Sequence, residues 1–263
     1  MTTSVRDLQE RSFGATLRRD AWWIQPALTA LVLGGFGLYA TWVAWIGTHF
    51  EWGPYLSPFY SPLIHTSWFP LSPAFLILPF PLLFRATCYY YRKAYYRAFF
   101  LDPVACAVGE PRHGYKGETR FPFVLQNLHR YAMYAAVIFI FILAYDVWLA
   151  TRWPVNGVLA DGTMAPGPKQ FGVGTGTLLM ALNVLLLASY TFGCHSIRHL
   201  IGGNVDCYSC VRGGKARFQA WRAVTVLNTR HQLFAWSSLF SVALTDVYIK
   251  LCVMGVIHDV RLF

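Results

Sequence analysis

The run "HRYAMYAAVIFIFILAYDVWLA", residues 129–150, decides the fold. From Tyr131 onward it carries a single charged side chain, Asp146, near its far end. A helix rises about 1.5 Å per residue, so about 20 apolar residues cross the roughly 30 Å hydrocarbon layer of a bilayer. Four further stretches pass the same length test, giving spans at about 22–46, 68–100, 123–150, 172–200 and 228–257. The apolar part of the second, about 68–84, contains Pro70, Pro73, Pro79 and Pro81, which predicts a kinked or late-entering helix. The expected architecture is an all-α membrane protein, a five-transmembrane-helix bundle forming one domain over 1–263. Composition agrees: 56% of the 263 residues are hydrophobic and only 13% are charged. The opening "MTTSVRDLQERSFGATLRRD" is polar and lacks the apolar core of a cleaved signal peptide.

Orientation follows from the basic residues. Eighteen of the 22 Lys and Arg fall in the N-terminal segment, the 85–130 connection and the 198–230 connection. The remaining four, Arg152, Lys169, Lys250 and Arg261, fall on the alternate side. Cytoplasmic loops carry the excess of Lys and Arg. The expectation is therefore a cytoplasmic N-terminus, an external C-terminus and a multi-pass protein of the cell inner (plasma) membrane. The +10 formal charge reads as topology with some attraction to anionic lipid, and not as a nucleic-acid footprint. Asp246 and Lys250, spaced i,i+4 in the outer part of span five, are expected to pair. Asp146 is expected to be structural or interfacial.

The histidines and cysteines are distributed unevenly. His49, His65 and His258 lie on the outer side, and Cys252 sits in the outer half of span five as a small buried hydrophobe. The others cluster at the cytoplasmic level. Cys88 ends the apolar part of span two, Cys106 and His113 lie in the loop that follows the span, and His129 starts span three. Cys194, His195 and His199 end span four, Cys207 and Cys210 follow in a loop, and His231 starts span five. The six cysteines do not read as a disulfide framework, because most fall on the reducing side. Cofactor sites in helical bundles are built from side chains converging from several helices at one depth. Cys88, His129, Cys194 and His231 meet that description, with His195, His199 and Cys106 as substitutes. Three occupants match the donor types. A bis-His haem could use His129 with His195, His199 or His231, but spans one to four hold no outer histidine pair for a second haem. Zinc accepts Cys₂His₂ ligation. A Rieske-type [2Fe–2S] cluster takes two thiolates on one iron and two imidazoles on the other. Cys207 and Cys210 form a CxxC, a metal half-site with no second half following it.

Four segments, "TCYYYRKAYYRAFFLDPVACAV", "RFPFVLQNLHRYAMYAA", "CHSIRHLIGG" and "LNTRHQLFAWSSLFSVALTDVYIKL", resemble the membrane-anchor subunit of actinobacterial succinate dehydrogenase, respiratory complex II. The likeness covers most of the chain from about Arg85 onward. It implies a helical anchor that holds an iron–sulfur subunit and a flavoprotein subunit at the cytoplasmic face and passes their electrons to quinone, linking the tricarboxylic acid cycle to electron transport. Single-subunit, five-span anchors of this kind commonly carry two b haems. The missing outer histidine pair departs from that pattern and favours the Rieske-type cluster, with one haem b as the alternative. A quinone headgroup at the same depth needs hydrogen-bond donors and an apolar slot. Tyr90, Arg130, Tyr131, Arg198, Arg230, Trp236 and Ser237 have the right type and depth. A reading from another class, a non-redox membrane transporter, wants polar groups through the bundle. Spans three to five offer little of this in their middle portions beyond Asn183 and small hydroxyls.

Overall fold

The computed structural model describes residues 13–64, 68–111, 119–121, 123–159, 161–203 and 205–263. His65, His113 and the basic residues Arg6, Arg11, Arg112 and Lys116, used above for topology, lie outside the described residues.

The chain is mostly helical. In order come α1 (Ile24–Ile46), the hairpin β1 (Glu51–Trp52) and β2 (Tyr55–Leu56), α2 (Ala74–Ile77), α3 (Pro79–Ala86) and α4 (Tyr89–Tyr95). A π-helical turn, Tyr96–Phe100, extends α4, and a 3₁₀ segment, Phe123–Leu128, leads into α5 (His129–Leu149). A second hairpin, β3 (Arg152–Pro154) and β4 (Lys169–Phe171), precedes α6 (Thr175–Phe192). Then follow α7 (His195–Gly202), α8 (Gly214–Thr229) and α9 (His231–Val253).

Four helical runs are long and apolar enough to cross a membrane: Ile24–Ile46, Phe123–Leu149, Thr175–Phe192 and His231–Val253. The bent pair Ala74–Ala86 and Tyr89–Phe100 makes a fifth if it counts as one span. Leu31 is 72% and Leu38 76% exposed on α1. In water such a surface would be costly; against lipid tails it is not.

Where the sequence reads as long runs, the helices break. Pro79 opens α3, where its missing N–H costs no helical bond. The run then stops at Ala86, and Cys88 is extended, with φ −68° and ψ 133°. The run at 172–200 breaks in the same way: α6 ends at Phe192, and Cys194 is extended with φ −64° and ψ 142° before α7 begins. The 198–230 connection contains the 16-residue helix α8, whose many polar residues had marked it only as a loop.

The chain divides into two compact units. One comprises Met1–Thr41 with Arg85–His129. In it Gly14 N donates to Gly109 O at 3.0 Å and Gly109 N to Ala15 O at 2.8 Å, tying the N-terminal segment to the loop after α4. Tyr96 packs its ring against Phe123 at 5.0 Å and Phe100 at 5.6 Å, and the Arg92 guanidinium lies over Tyr89 at 4.9 Å.

The other unit comprises Trp42–Phe84 with Arg130–Phe263. Its core includes Tyr55, Ala150, Trp153, Met180 and Ile249. The acids around that core are paired. Ser57 and Ser61, in the loop after β2, donate to the buried carboxylates of Asp246 and Asp146. Lys250 Nζ lies 3.5 Å from Asp246, the expected i,i+4 pair. Asp259 accepts from Tyr55 Oη at 2.8 Å, Tyr248 Oη at 2.6 Å and Gly176 N at 2.9 Å. Glycine is needed at the start of α6: a Cβ on Gly174 would sit 2.1 Å from Asp259 Oδ2, and one on Gly176 would sit 2.4 Å from Tyr55 Cε2.

Candidate functional site

The four proposed donors share one local feature: each stands at the start of a helix. Cys88 is the N-cap of α4 and Cys194 the N-cap of α7. His129 is the first residue of α5 and His231 the first of α9. A helix start carries backbone N–H groups that no carbonyl of the same helix accepts from. At α7 one of these is met by the cysteine, since Ser196 N donates to Cys194 Sγ at 3.4 Å.

Burial separates these residues from the substitutes. Cys88 is 2% exposed, Cys194 1% and His231 2%. His129 is half-buried. By contrast His195, His199 and Cys106 are exposed. The His195 and His199 rings sit edge-to-face at 5.4 Å on one face of α7, as i,i+4 spacing requires.

Two residues that the sequence did not single out orient the imidazoles. Thr87 Oγ1 lies 2.9 Å from His129 Nδ1. The Tyr190 ring stacks on His231 at 4.8 Å and 19°, and Phe84 packs on Tyr190 at 5.2 Å. Thr87 immediately precedes Cys88, and Tyr190 lies four residues before Cys194, so adjacency to the candidate thiols was the available signal. Asn228 Nδ2 donates to Gly193 O at 2.8 Å, closing the broken end of α6.

Cys88 and His129 belong to the first unit, Cys194 and His231 to the second. Among the described residues, no three of His, Cys, Asp and Glu gather at metal-holding spacing.

The quinone candidates fall into three groups. Arg198 is engaged, its Nε donating to Thr225 Oγ1 at 3.2 Å and its guanidinium lying 4.9 Å from the Trp221 ring. Arg130, Tyr131 and Arg230 are exposed. Tyr90, Trp236 and Ser237 are half-buried, and Ser237 Oγ donates to Phe234 O at 3.5 Å. A cavity of about 340 Å³ lies elsewhere, lined in part by Glu51, Tyr145, Asp146, Arg152 and Lys169 and by none of the quinone candidates.

The CxxC departs from expectation. Cys207 and Cys210 form a disulfide, with Cα atoms 5.3 Å apart, inside the range that a disulfide spans without backbone movement. Cys88, Cys106, Cys194 and Cys252 are outside any disulfide.

A family model described as "Actinobacterial succinate dehydrogenase subunit SdhC" matches residues 24–255. A chain of the "Mycobacterium smegmatis Sdh1 complex in the apo form" is similar at 42% identity with a TM-score of 0.82, over 100% of this chain and 98% of that one. No curated protein matches.

Proposed function

The chain belongs to the actinobacterial SdhC family of succinate dehydrogenase membrane subunits, and from that premise we propose that it anchors the complex's iron–sulfur and flavoprotein subunits and passes their electrons to quinone through a Rieske-type [2Fe–2S] cluster. It is a multi-pass protein of the plasma membrane. The proposed orientation puts the N-terminus and the helix starts of α4, α5, α7 and α9 at the cytoplasmic level, as the charge bias favours.

The observation that carries the cluster is the donor set itself: two thiols at helix N-caps and two imidazoles at helix starts, with Cys88, Cys194 and His231 nearly fully buried. These donors fit the cluster in kind. Cys88 and Cys194 would supply the thiolates, His129 and His231 the imidazoles. A [2Fe–2S] cluster so held supplies one-electron transfer at a potential raised above that of an all-cysteine cluster. Thr87 holds the His129 ring through Nδ1, and the Tyr190 face fixes the plane of His231. Second partners of this kind set the orientation and basicity of a ligating imidazole. Phe84 behind Tyr190 adds an apolar wall that keeps water from the His231 side. Near the same helix starts, Tyr90, Arg130, Tyr131, Arg198, Arg230, Trp236 and Ser237 are the proposed donors and ring contacts for quinone.

The test is spectroscopy of the purified, complete complex. Reduction should give a rhombic electron-paramagnetic-resonance signal of low average g, absent from the His129→Ala complex. A sharp reduced α-band of haem b with no such signal overturns the cluster in favour of haem.

A further inference from the structure

The CxxC loop has no part in the electron path proposed above, and the structure ties it closely to its surroundings. Cys207 caps the start of the 3₁₀ turn Tyr208–Cys210 and Cys210 ends it, with Cys210 N donating to Cys207 O at 3.2 Å. Cys210 is exposed and Cys207 half-buried, so the sulfur pair is reachable from solvent. Between them Tyr208 turns inward, its ring 5.3 Å from Phe218 and 6.4 Å from Trp221 on α8. The fit is tight: a Cβ on Gly214 would fall 1.6 Å from Tyr208 O, and one on Gly202 2.7 Å from Tyr208 Oη. Trp221 in turn lies under the Arg198 guanidinium at 4.9 Å. The loop, Tyr208, Trp221 and Arg198 form one continuous contact chain leading back to α7.

The orientation proposed above puts this loop in the cytoplasm, where thiols are kept reduced and disulfides are mostly transient or redox-sensing. We propose that Cys207 and Cys210 are a reversible dithiol–disulfide couple, open to exchange with a cytoplasmic dithiol carrier, whose oxidised form holds Tyr208 on Trp221. In the exchange, a thiolate of the reduced carrier attacks one sulfur of the Cys207–Cys210 bond and forms a mixed disulfide. The carrier's second thiol then displaces it. The loop ends as two thiols and the carrier as a disulfide, with two electrons and two protons moved in total. Low accessibility makes Cys88, Cys194 and Cys252 poor competitors in this exchange.

The test uses the complete complex in membranes, equilibrated in oxidised and reduced dithiothreitol mixtures, quenched with acid and labelled with a maleimide. Peptides covering 205–213 should pass from no label to two labels together in one two-electron transition, and lose both on reoxidation. Backbone hydrogen exchange in 205–213 should rise about tenfold or more on reduction, as a local restraint is released. In Cys207→Ser/Cys210→Ser that exchange should be high at every mixture. Two labels at every mixture, with or without bound zinc, overturn the proposal. So does a disulfide that resists the most reducing mixture, which makes it a permanent staple. The labelling does not depend on cluster, haem or quinone chemistry, so the proposal and the electron-transfer reading fail separately.

Discussion

Two regions of the second unit surround their buried polar groups with different kinds of neighbour. Around Tyr55, each buried acid has partners: Asp246 with Ser57 and Lys250, Asp146 with Ser61. Asp259 draws on two tyrosine hydroxyls and a backbone amide. Around His231, a buried imidazole lies against an aromatic face, and a buried cysteine sits on a helix start. The first arrangement pairs its acids with hydroxyls, an ammonium and a backbone amide, which ties helices and loops together. The second sets an imidazole against an aromatic face near a buried thiol, and the reading proposed above gives this end the redox role. The general lesson is that burial alone does not separate structure from function; the kind of partner does.

The contrast can be broken experimentally. The largest effect is expected from His231→Ala: quinone reduction by succinate is lost, while the assembled complex still oxidises succinate with an artificial acceptor. If quinone reduction survives, the region is structural and the contrast fails. Next comes Asp246→Ala. It leaves Lys250, 8% exposed, without its carboxylate, and removing one partner of a buried pair costs about 3–5 kcal/mol. Thermal unfolding in detergent should show a large fall in midpoint, with quinone reduction per folded complex unchanged. Thr87→Val applies the same contrast to the first unit. It removes the oxygen beside His129 Nδ1 and should lower quinone reduction about 10–100-fold, the usual size for a residue that orients a metal ligand. Its thermal midpoint should barely move. The smallest effect is Tyr55→Phe, which deletes one bond to Asp259 and should cost about 1–3 kcal/mol of stability in the same unfolding assay, with no change in activity.

Some of these features were legible from local pattern. Asp246 and Lys250 are four residues apart on an apolar run, so their pairing follows from helical spacing. That His129 and His231 open helices follows from where the apolar runs begin. Tyr55 and Asp259 are 204 residues apart, and nothing near either one announces the other. Helix α8 was hidden because its mixed polar sequence resembles a charged loop when hydropathy is the only guide. The break before Cys194 had a weak local sign in Gly193, but an isolated glycine in an apolar run is compatible with a continuous helix. The CxxC showed its spacing without its state, since whether two sulfurs bond depends on the turn between them.

The sequence by itself determined that this protein is helical and membrane-bound, and that most of its thiols and imidazoles stand at the ends of its apolar runs or in the connections between them. Hydropathy and charge act residue by residue along the chain, so the order of residues is enough to state their consequences. Only the tertiary structure decided that the long runs break at Cys88 and Cys194, that Thr87 meets His129 and that Tyr190 covers His231. Those outcomes depend on which helices pack together, and packing is settled by contacts between residues far apart in the chain.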